Sequence, residues 1–277
     1  MPIVAIIGAG PLGGTLAHTL AGRSRVDEVR LIDPEGRVAE GKALDIQQSS
    51  PVEQWGTRVT AATSVTAAAG ANAIVFADLV NGGEIAGDAG LSIVRQLVRA
   101  DMEAPLLFAG GLQRELMALA AGELRVPARR LVGSAPLALE SSVRAVAAAL
   151  IDASPSDLSI GIAGAPPRDV AIGWDAATAF NQPMAAVLAP HHLAAISARV
   201  PALWPPAPYT LGSAAARVAE ALVNGSRRRY TCFAALDGGR QIVAVPVEIE
   251  KGGIKRTLDP ALSRHERTLF ENGFRRG

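Results

Sequence analysis

The sequence predicts an α/β protein, with a doubly wound parallel sheet followed by a smaller α+β segment. Two observations lead to this fold class. In the first half, short runs of apolar residues alternate with helix-like stretches, and the runs lack the polar alternation of half-exposed strands. Such strands are typical of a parallel sheet that helices cover on both faces. The second half instead combines helices with longer strands.

Each element of the first half follows from its apolar pattern. The predicted strands are residues 3–7, 29–33, 73–77, 105–109 and 130–133. The predicted helices between them are residues 12–21, 38–48, 91–100 and 114–121. We therefore expect residues 1–135 to form one domain of alternating strands and helices.

The second half is expected to form an α+β domain, residues 136–277. The predicted helices are residues 137–150, 191–198, 213–223 and 262–270. The predicted strands are residues 158–162, 230–236 and 241–249, with a hairpin turn at Gly252 and Gly253.

Composition limits the function classes. The 277 residues carry a net charge of +1, evenly spread, which argues against a nucleic-acid partner. Residues 60–77 lack charge but are too polar to span a membrane. The single cysteine, Cys232, falls in a predicted strand, so we expect a core residue, no disulfide framework and a cytoplasmic protein. We also expect no metal site and no leader segment.

The first strand runs into the pattern Gly8-x-Gly10-x-x-Gly13, which opens the first helix. The glycines permit a tight turn, a close approach of the backbone to a pyrophosphate, and packing of helix on strand. Asp33 ends the next strand 20 residues beyond Gly13, where a carboxylate binds ribose hydroxyls and repels a 2′-phosphate. These features predict a Rossmann-type domain for NAD rather than NADP, unless the pattern is only a glycine turn with a surface Asp. Leu12 and Ala77 complete the predicted cofactor contacts.

With these features, the chain resembles the lactate/malate dehydrogenase family. The resemblance begins at "VAIIGAGPLGG" and becomes specific at "LIDPEGRVAEGKALDIQQSSP". It resumes in "GSAAARVAEALV", "RRRYTCFAALDGG" and "IVAVPVEIEKGGIKR". It implies a dinucleotide domain followed by a substrate domain, NAD as cofactor, and association into a homo-oligomer. It also implies hydride transfer assisted by a histidine, a carboxylate that orients it, and arginines that bind the substrate carboxylate.

The residues at the family's catalytic positions differ. The histidine position falls on Ala165, the orienting carboxylate on Glu140, and the following arginine on Val143. Arg144 is one residue away, about 100° around a helix, and is placed to pair with Glu140 instead.

The loop that should carry substrate-binding arginines also differs. Residues 79–90, "LVNGGEIAGDAG", contain no arginine. We expect either a short fixed turn or a mobile connection, in both cases indifferent to small carboxylates. Gly110 or Gly111 stands where the family has asparagine, and residues 197–213 look shortened.

Other groups offer alternative chemistry, with roles that the sequence leaves open. The candidates are Arg168, Asp169, His191 and His192, while His18 is expected to pack and His265 to be solvated. Three functions therefore remain. The chain is a family member that binds NAD(H) without being a lactate or malate dehydrogenase, an NAD-dependent oxidoreductase on a different CH–OH substrate with relocated groups, or a structural subunit without nucleotide binding.

Overall fold

The computed structural model of the protein describes residues 2–239 and 241–276. The first half consists of β1 (Ile3–Ile7), α1 (Pro11–Arg23), β2 (Glu28–Ile32), α2 (Gly36–Glu53), β3 (Arg58–Ala62), β4 (Ala73–Phe76), β5 (Asp78–Leu79), β6 (Gly83–Glu84), α3 (Gly87–Arg99), β7 (Leu106–Phe108), α4 (Arg114–Gly122) and β8 (Leu131–Gly133). Every strand and helix predicted for this half is present, with ends shifted by a few residues.

The second half begins with a long helix and ends with another. Its elements are α5 (Ala135–Leu150), β9 (Leu158–Ser159), β10 (Ile162–Ala165), β11 (Asp169–Ile172), β12 (Thr178–Ala179), β13 (Gln182–Pro183), α6 (Met184–Val187), α7 (Pro190–Arg199), α8 (Pro208–Asn224), β14 (Arg229–Leu236), β15 (Gln241–Glu250), β16 (Gly253–Thr257) and α9 (Arg264–Arg276).

Within the described residues, one sheet of 11 strands organises the molecule. Its order is β11-β10-β15-β14-β8-β7-β4-β1-β2-β3, with β16 beside β15. From β8 to β3 the strands are parallel, as predicted. Chain order reverses between β1 and β4, and ligands of doubly wound sheets bind at such a switch point.

The two halves share this sheet. β14 pairs antiparallel with β8, so that Phe233 lies opposite Gly133. The main apolar core therefore contains buried residues from both halves, while α5, β9, β10 and α7 contribute to a second, smaller core. The division at residue 135 remains a prediction, and the sheet is continuous across it.

The predicted strand at residues 158–162 is wrong in its boundaries. The strand is interrupted before the exposed Gly161, so that β9 precedes this residue and β10 follows it. β9 pairs with β12, whereas β10 pairs with β11 and β15. Gly164 belongs to β10 with φ +123°, and a Cβ there would lie 2.1 Å from the carbonyl oxygen of Asp169.

In the described part of the chain, no helix is long and apolar enough to cross a bilayer. Cys232 is buried in the core, as expected, and its burial raises the pKa of the thiol.

Candidate dinucleotide site

The glycine turn (residues 8–13) lies at the switch point, between β1 and α1. Gly8 has φ +104°, and its hypothetical Cβ would lie 2.3 Å from the carbonyl oxygen of Asp78. A Cβ on Gly13 would lie 2.0 Å from the carbonyl oxygen of Gly8. The first glycine thus makes the tight turn, and the third allows the helix to pack on the strand.

The amides at the start of α1 already bind an anion, which is the side chain of Asp78. Leu12 N donates to Oδ2 of Asp78 at 3.1 Å, and Gly13 N donates to Oδ1 at 2.8 Å. Gly10 N donates to the Asp78 carbonyl oxygen at 2.8 Å. A helix N-terminus attracts negative charge through its free N–H groups and its dipole. Asp78 therefore occupies the position that the pattern reserves for a pyrophosphate.

Gly10 permits a close approach, but the group that approaches is Asp78. A Cβ on Gly10 would lie 2.5 Å from both Cγ and Oδ2 of that residue. The expectation that this glycine makes room for an anion fits the geometry. The anion present is the chain's own carboxylate.

Asp33 is buried and fully engaged by backbone donors. Its Oδ2 accepts from Ala9 N at 2.9 Å and Val80 N at 3.1 Å, and its Oδ1 accepts from Glu35 N at 2.9 Å. Only 1% of its surface is exposed. The carboxylate predicted to hold the adenosine ribose is therefore covered by the strand-to-loop connection that also carries Asp78.

This covering segment (residues 77–80) is fixed at its start. Ala77 is fully buried, and its carbonyl oxygen accepts from Nε2 of Gln113 at 3.0 Å. The same amide nitrogen donates to Ile85 O at 3.1 Å, beyond the β5–β6 hairpin. Gln113 thus joins the two ends of the hairpin.

The hairpin itself is held by Glu84. Its carboxylate accepts from Gly111 N at 3.1 Å and from Leu112 N at 2.7 Å, just before α4. A Cβ on Gly110 would lie 2.1 Å from Oε2 of Glu84. The loop therefore corresponds to the first of the two expected forms, a short fixed turn. A Cβ on Gly111 would meet Pro205, at 2.5 Å.

Lys42 places a positive charge beside the glycine turn. Its Nζ donates to Ala9 O at 2.5 Å and Gly10 O at 3.1 Å. Lys42 and Asp78 were not predicted as site residues from the sequence. A signal existed for each, since Lys42 lies in the matched "GKALD" segment and Asp78 directly follows a strand that ends at the switch point.

The region expected to hold the acid/base pair is apolar at two positions. Ala165 ends β10 and is 6% exposed, and Val143 is fully buried in α5. Glu140 accepts a hydrogen bond from Oγ1 of Thr231, and its Oε1 lies 3.8 Å from Arg144, as the spacing predicts. Burial raises the pKa of the Glu140 carboxyl, while the Thr231 bond and Arg144 oppose the rise.

Glu140 also contributes to the wall of a cavity of about 300 Å³. Residues of β9, β10, β14 and β15, the residues after β11 and the segment before α9 also line it.

The other candidate groups are dispersed. Arg168 is exposed in the turn between β10 and β11. His191 and His192 lie in the first turn of α7, with ring centroids 4.0 Å apart. Asp169 attracts Arg114, although burial lowers the pKa of that guanidinium. Among the described residues, no group of three or more His, Cys, Asp or Glu is placed to hold a metal.

One histidine expectation is wrong and one is met. His18 was expected to pack but is exposed on α1, because the buried face of that helix is formed by Leu16, Ala17 and Leu20. His265 is exposed in α9, as expected.

Known proteins are similar to this chain in sequence, both over residues 3–81 and along almost its whole length. Residues 3–81 match the family model described as the lactate/malate dehydrogenase NAD binding domain. The chain is 27% identical to malate dehydrogenase of Cytophaga hutchinsonii, covering 97% of this chain and 93% of that protein. It is 28% identical to malate dehydrogenase of Roseobacter denitrificans, covering 98% and 93%.

Solved structures share the fold. Malate dehydrogenase from Picrophilus torridus matches with a TM-score of 0.86 and 20% identity, covering 99% of this chain and 94% of that one. Minor L-lactate dehydrogenase from Enterococcus mundtii matches with a TM-score of 0.84 and 21% identity, covering 99% and 96%.

The sheet and its glycine turn define a protein of the NAD-binding dehydrogenase class. More particularly, residues 3–81 match the NAD binding domain of the lactate/malate dehydrogenase family, and the chain is similar along almost its whole length to malate dehydrogenases, which supports NAD as its cofactor.

The glycine turn has the backbone of an NAD site, but its amides are not free to bind a dinucleotide in this structure. Both amides at the start of α1 are bound to Asp78, and Val80 covers Asp33. A pyrophosphate and the Asp78 carboxylate require the same donors.

Proposed function

We propose that the chain is an NAD(H)-binding member of the lactate/malate dehydrogenase family that does not oxidise lactate or malate by the family's histidine chemistry. The observation that carries the proposal is the pair Ala165 and Val143, both buried and apolar, at the positions where the resemblance places the histidine and an arginine. Neither side chain can transfer a proton or bind a carboxylate.

The magnitudes support this proposal. A positioned general acid/base contributes about 10²–10⁴-fold to a rate. A hydrogen bond to a charged group contributes about 1.5–3 kcal/mol. Losing both, with no arginine in residues 79–90, leaves little capacity for 2-hydroxy-acid oxidation.

For the cofactor, the proposal assigns Gly8, Gly10, Leu12, Gly13, Asp33 and Ala77 as contacts. A carboxylate at Asp33 favours NAD(H) over NADP(H), since it repels a 2′-phosphate. Titration calorimetry should show that NADH binds more tightly than NADPH, and that Asp33→Ala narrows the difference. Equal affinities in the unmodified protein would contradict the assignment.

The activity is tested directly with oxaloacetate or pyruvate and NADH. We expect no turnover within the usual enzyme range of about 1–10³ s⁻¹. Malate dehydrogenase of Cytophaga hutchinsonii is a suitable positive control under the same conditions. Malate or lactate dehydrogenase turnover in that range by this chain would refute the proposal.

A second candidate is an NAD-dependent oxidoreductase acting on the CH–OH group of a different substrate. Two curated relatives are named malate dehydrogenase and align with almost the whole chain, which favours retained redox chemistry. Arg168 and Asp169 follow the turn after β10 and are the relocated groups to test. A screen of hydroxy acids and alcohols with NAD, followed by NADH absorbance, would identify such a substrate. Arg168→Ala should then reduce the rate.

The proposal also includes a cytoplasmic homo-oligomer. Leu44 and Val52 on α2 and Tyr209 on α8 are 58%, 80% and 79% exposed, and a second copy packed on this side of the molecule would cover them. A cavity of about 380 Å³ is lined jointly by α1, α2 and α8, with Tyr209 among its residues. The proposal therefore places the contact with a second copy on α1, α2 and α8.

A further inference from the structure

Three backbone amides at the start of α1, those of Gly10, Leu12 and Gly13, all donate to one residue. Gly10 N bonds the carbonyl oxygen of Asp78, Leu12 N bonds Oδ2, and Gly13 N bonds Oδ1. The three distances, 2.8, 3.1 and 2.8 Å, are those of well-formed hydrogen bonds.

The Asp78 carboxylate is held by these amides rather than by a cation. It is 7% exposed, and the salt bridges found among the described residues do not include it. A buried carboxylate without an ion pair depends on hydrogen-bond donors and helix dipoles to offset its desolvation. Asp78 therefore interacts with α1 as a bound anion would.

The covering segment closes a second position at the same time. Two residues after Asp78, Val80 N donates to Asp33 at 3.1 Å. One short stretch thus satisfies both the amides predicted for the pyrophosphate and the carboxylate predicted for the ribose. A pyrophosphate requires the two amides that the Asp78 carboxylate holds, so it can bind only after that carboxylate leaves.

We propose that Asp78 is an internal occupant of the pyrophosphate position and sets the affinity of the site. NAD(H) binds only when the Asp78 side chain withdraws and releases the amides of Leu12 and Gly13. The apparent dissociation constant then equals the intrinsic constant divided by the fraction of molecules with this side chain withdrawn. This inference rests on the proposed function in naming NAD(H), but the occupancy itself concerns any pyrophosphate.

The test compares Asp78→Ala with the unmodified protein by titration calorimetry with NADH. A withdrawn state with a population of about 0.1–10% predicts that the variant binds about 10- to 1000-fold more tightly. Asp88→Ala is the matched control, because it removes an exposed carboxylate a few residues further along the chain. This control should leave the dissociation constant unchanged.

Inorganic pyrophosphate provides a second probe that is independent of the nicotinamide. We expect it to bind Asp78→Ala and not the unmodified protein. If neither form binds NADH but the variant binds pyrophosphate, the occupancy is supported and the proposed NAD(H) function fails. If both forms bind NADH equally, the proposed function stands and the inference is overturned.

The remaining outcomes also decide the question. If the alanine variant binds neither ligand while folded, the inference is overturned. If it does not fold, Asp78→Asn replaces it, since asparagine keeps the size of the side chain and removes its charge. Unchanged binding of NADH and pyrophosphate by a folded Asp78→Asn variant would overturn the inference equally.

Discussion

Asp78 acts on α1 as a capping residue supplied from a distant part of the sequence. The residue at the N-cap, Gly10, has no side chain, and two free amides of the first turn bond Asp78 instead, 66 and 65 positions away in sequence. A capping side chain contributes about 0.5–2 kcal/mol to stability. Its role in folding is therefore measurable without any ligand.

We expect Asp78→Ala to lower the free energy of unfolding of the ligand-free protein by about 1–3 kcal/mol, because two buried amides lose their acceptor. Urea denaturation followed by circular dichroism measures the change. Asp88→Ala should shift the midpoint by much less. A midpoint for Asp78→Ala equal to that of the unmodified protein would show that the contact carries no stability.

Glu140 gives a prediction about pH. Its pKa in the folded protein is raised above the ordinary value of 4.5, chiefly by burial. The folded state therefore holds this proton more tightly than the unfolded state does. The stability that this tighter proton binding gives the folded protein is complete below pH 4.5, and it is lost as pH rises through the pKa of Glu140 in the folded state.

Glu140→Gln should therefore gain stability relative to the unmodified protein as pH rises above 4.5. The glutamine cannot ionise, and its carbonyl still accepts from Thr231. Urea midpoints measured from pH 4.5 to pH 8 test this expectation. Glu40→Gln, at an exposed position, controls for the loss of one carboxylate. If the difference in urea midpoint between Glu140→Gln and the unmodified protein stays constant with pH, the raised pKa of Glu140 is contradicted.

At the scale of elements, the β5–β6 hairpin lies where the resemblance places an arginine-bearing loop. Glu84 and Gln113 fix it against the residues that precede α4, so that it has no free end to close over a substrate. We expect hydrogen exchange in residues 79–90 to be the same with NADH alone and with NADH plus oxamate or malonate. Strong additional protection of residues 79–90 from exchange when either acid is added would show that this segment does act as a lid over the substrate.

The anchors of the hairpin are testable in the same experiment. Gln113→Ala should raise exchange in residues 77–85, because it removes the bonds to both ends of the hairpin. Gln96→Ala, on the exposed side of α3, is the control and should leave exchange there unchanged.

Elements defined by local apolar pattern were predictable from the sequence, and elements defined by their partners were not. β1, β2, β4, β7 and β8 are short buried runs, so their composition identifies them. β3 was missed because Arg58–Ala62 contains arginine, threonine and alanine on the sheet edge, half exposed. The break at Gly161 depends on which strand each side pairs with, and an apolar run contains no such information.

The same distinction holds for the site. The turn geometry of Gly8 and Gly13 follows from their spacing, as does the position of Asp33 at the end of β2. What Asp78 does depends on contacts across more than sixty residues, which spacing does not reveal. An acid directly after a strand at the switch point was the available signal.

At the scale of the molecule, the exposed face of α2 and α8 predicts association. Leu44→Glu with Tyr209→Glu should shift the chain from oligomer to monomer, since both substitutions place charge in the proposed interface. Light scattering after size-exclusion chromatography measures the mass. Leu112→Glu, at a residue 62% exposed just before α4, is the control. An oligomer that survives the double substitution would place the interface elsewhere.

The carboxylate of Asp78 also bears on how the protein responds to its surroundings. A protein whose site is filled by a diffusible ligand gains stability in proportion to RT ln(1 + [L]/Kd), so it weakens when that ligand is scarce. Here the occupant is covalently part of the chain and has a fixed effective concentration. The fold is therefore expected to keep the stabilising contacts of Asp78 when nicotinamide nucleotides are depleted, and bound NAD(H) adds stability only to the extent that its concentration exceeds the apparent dissociation constant.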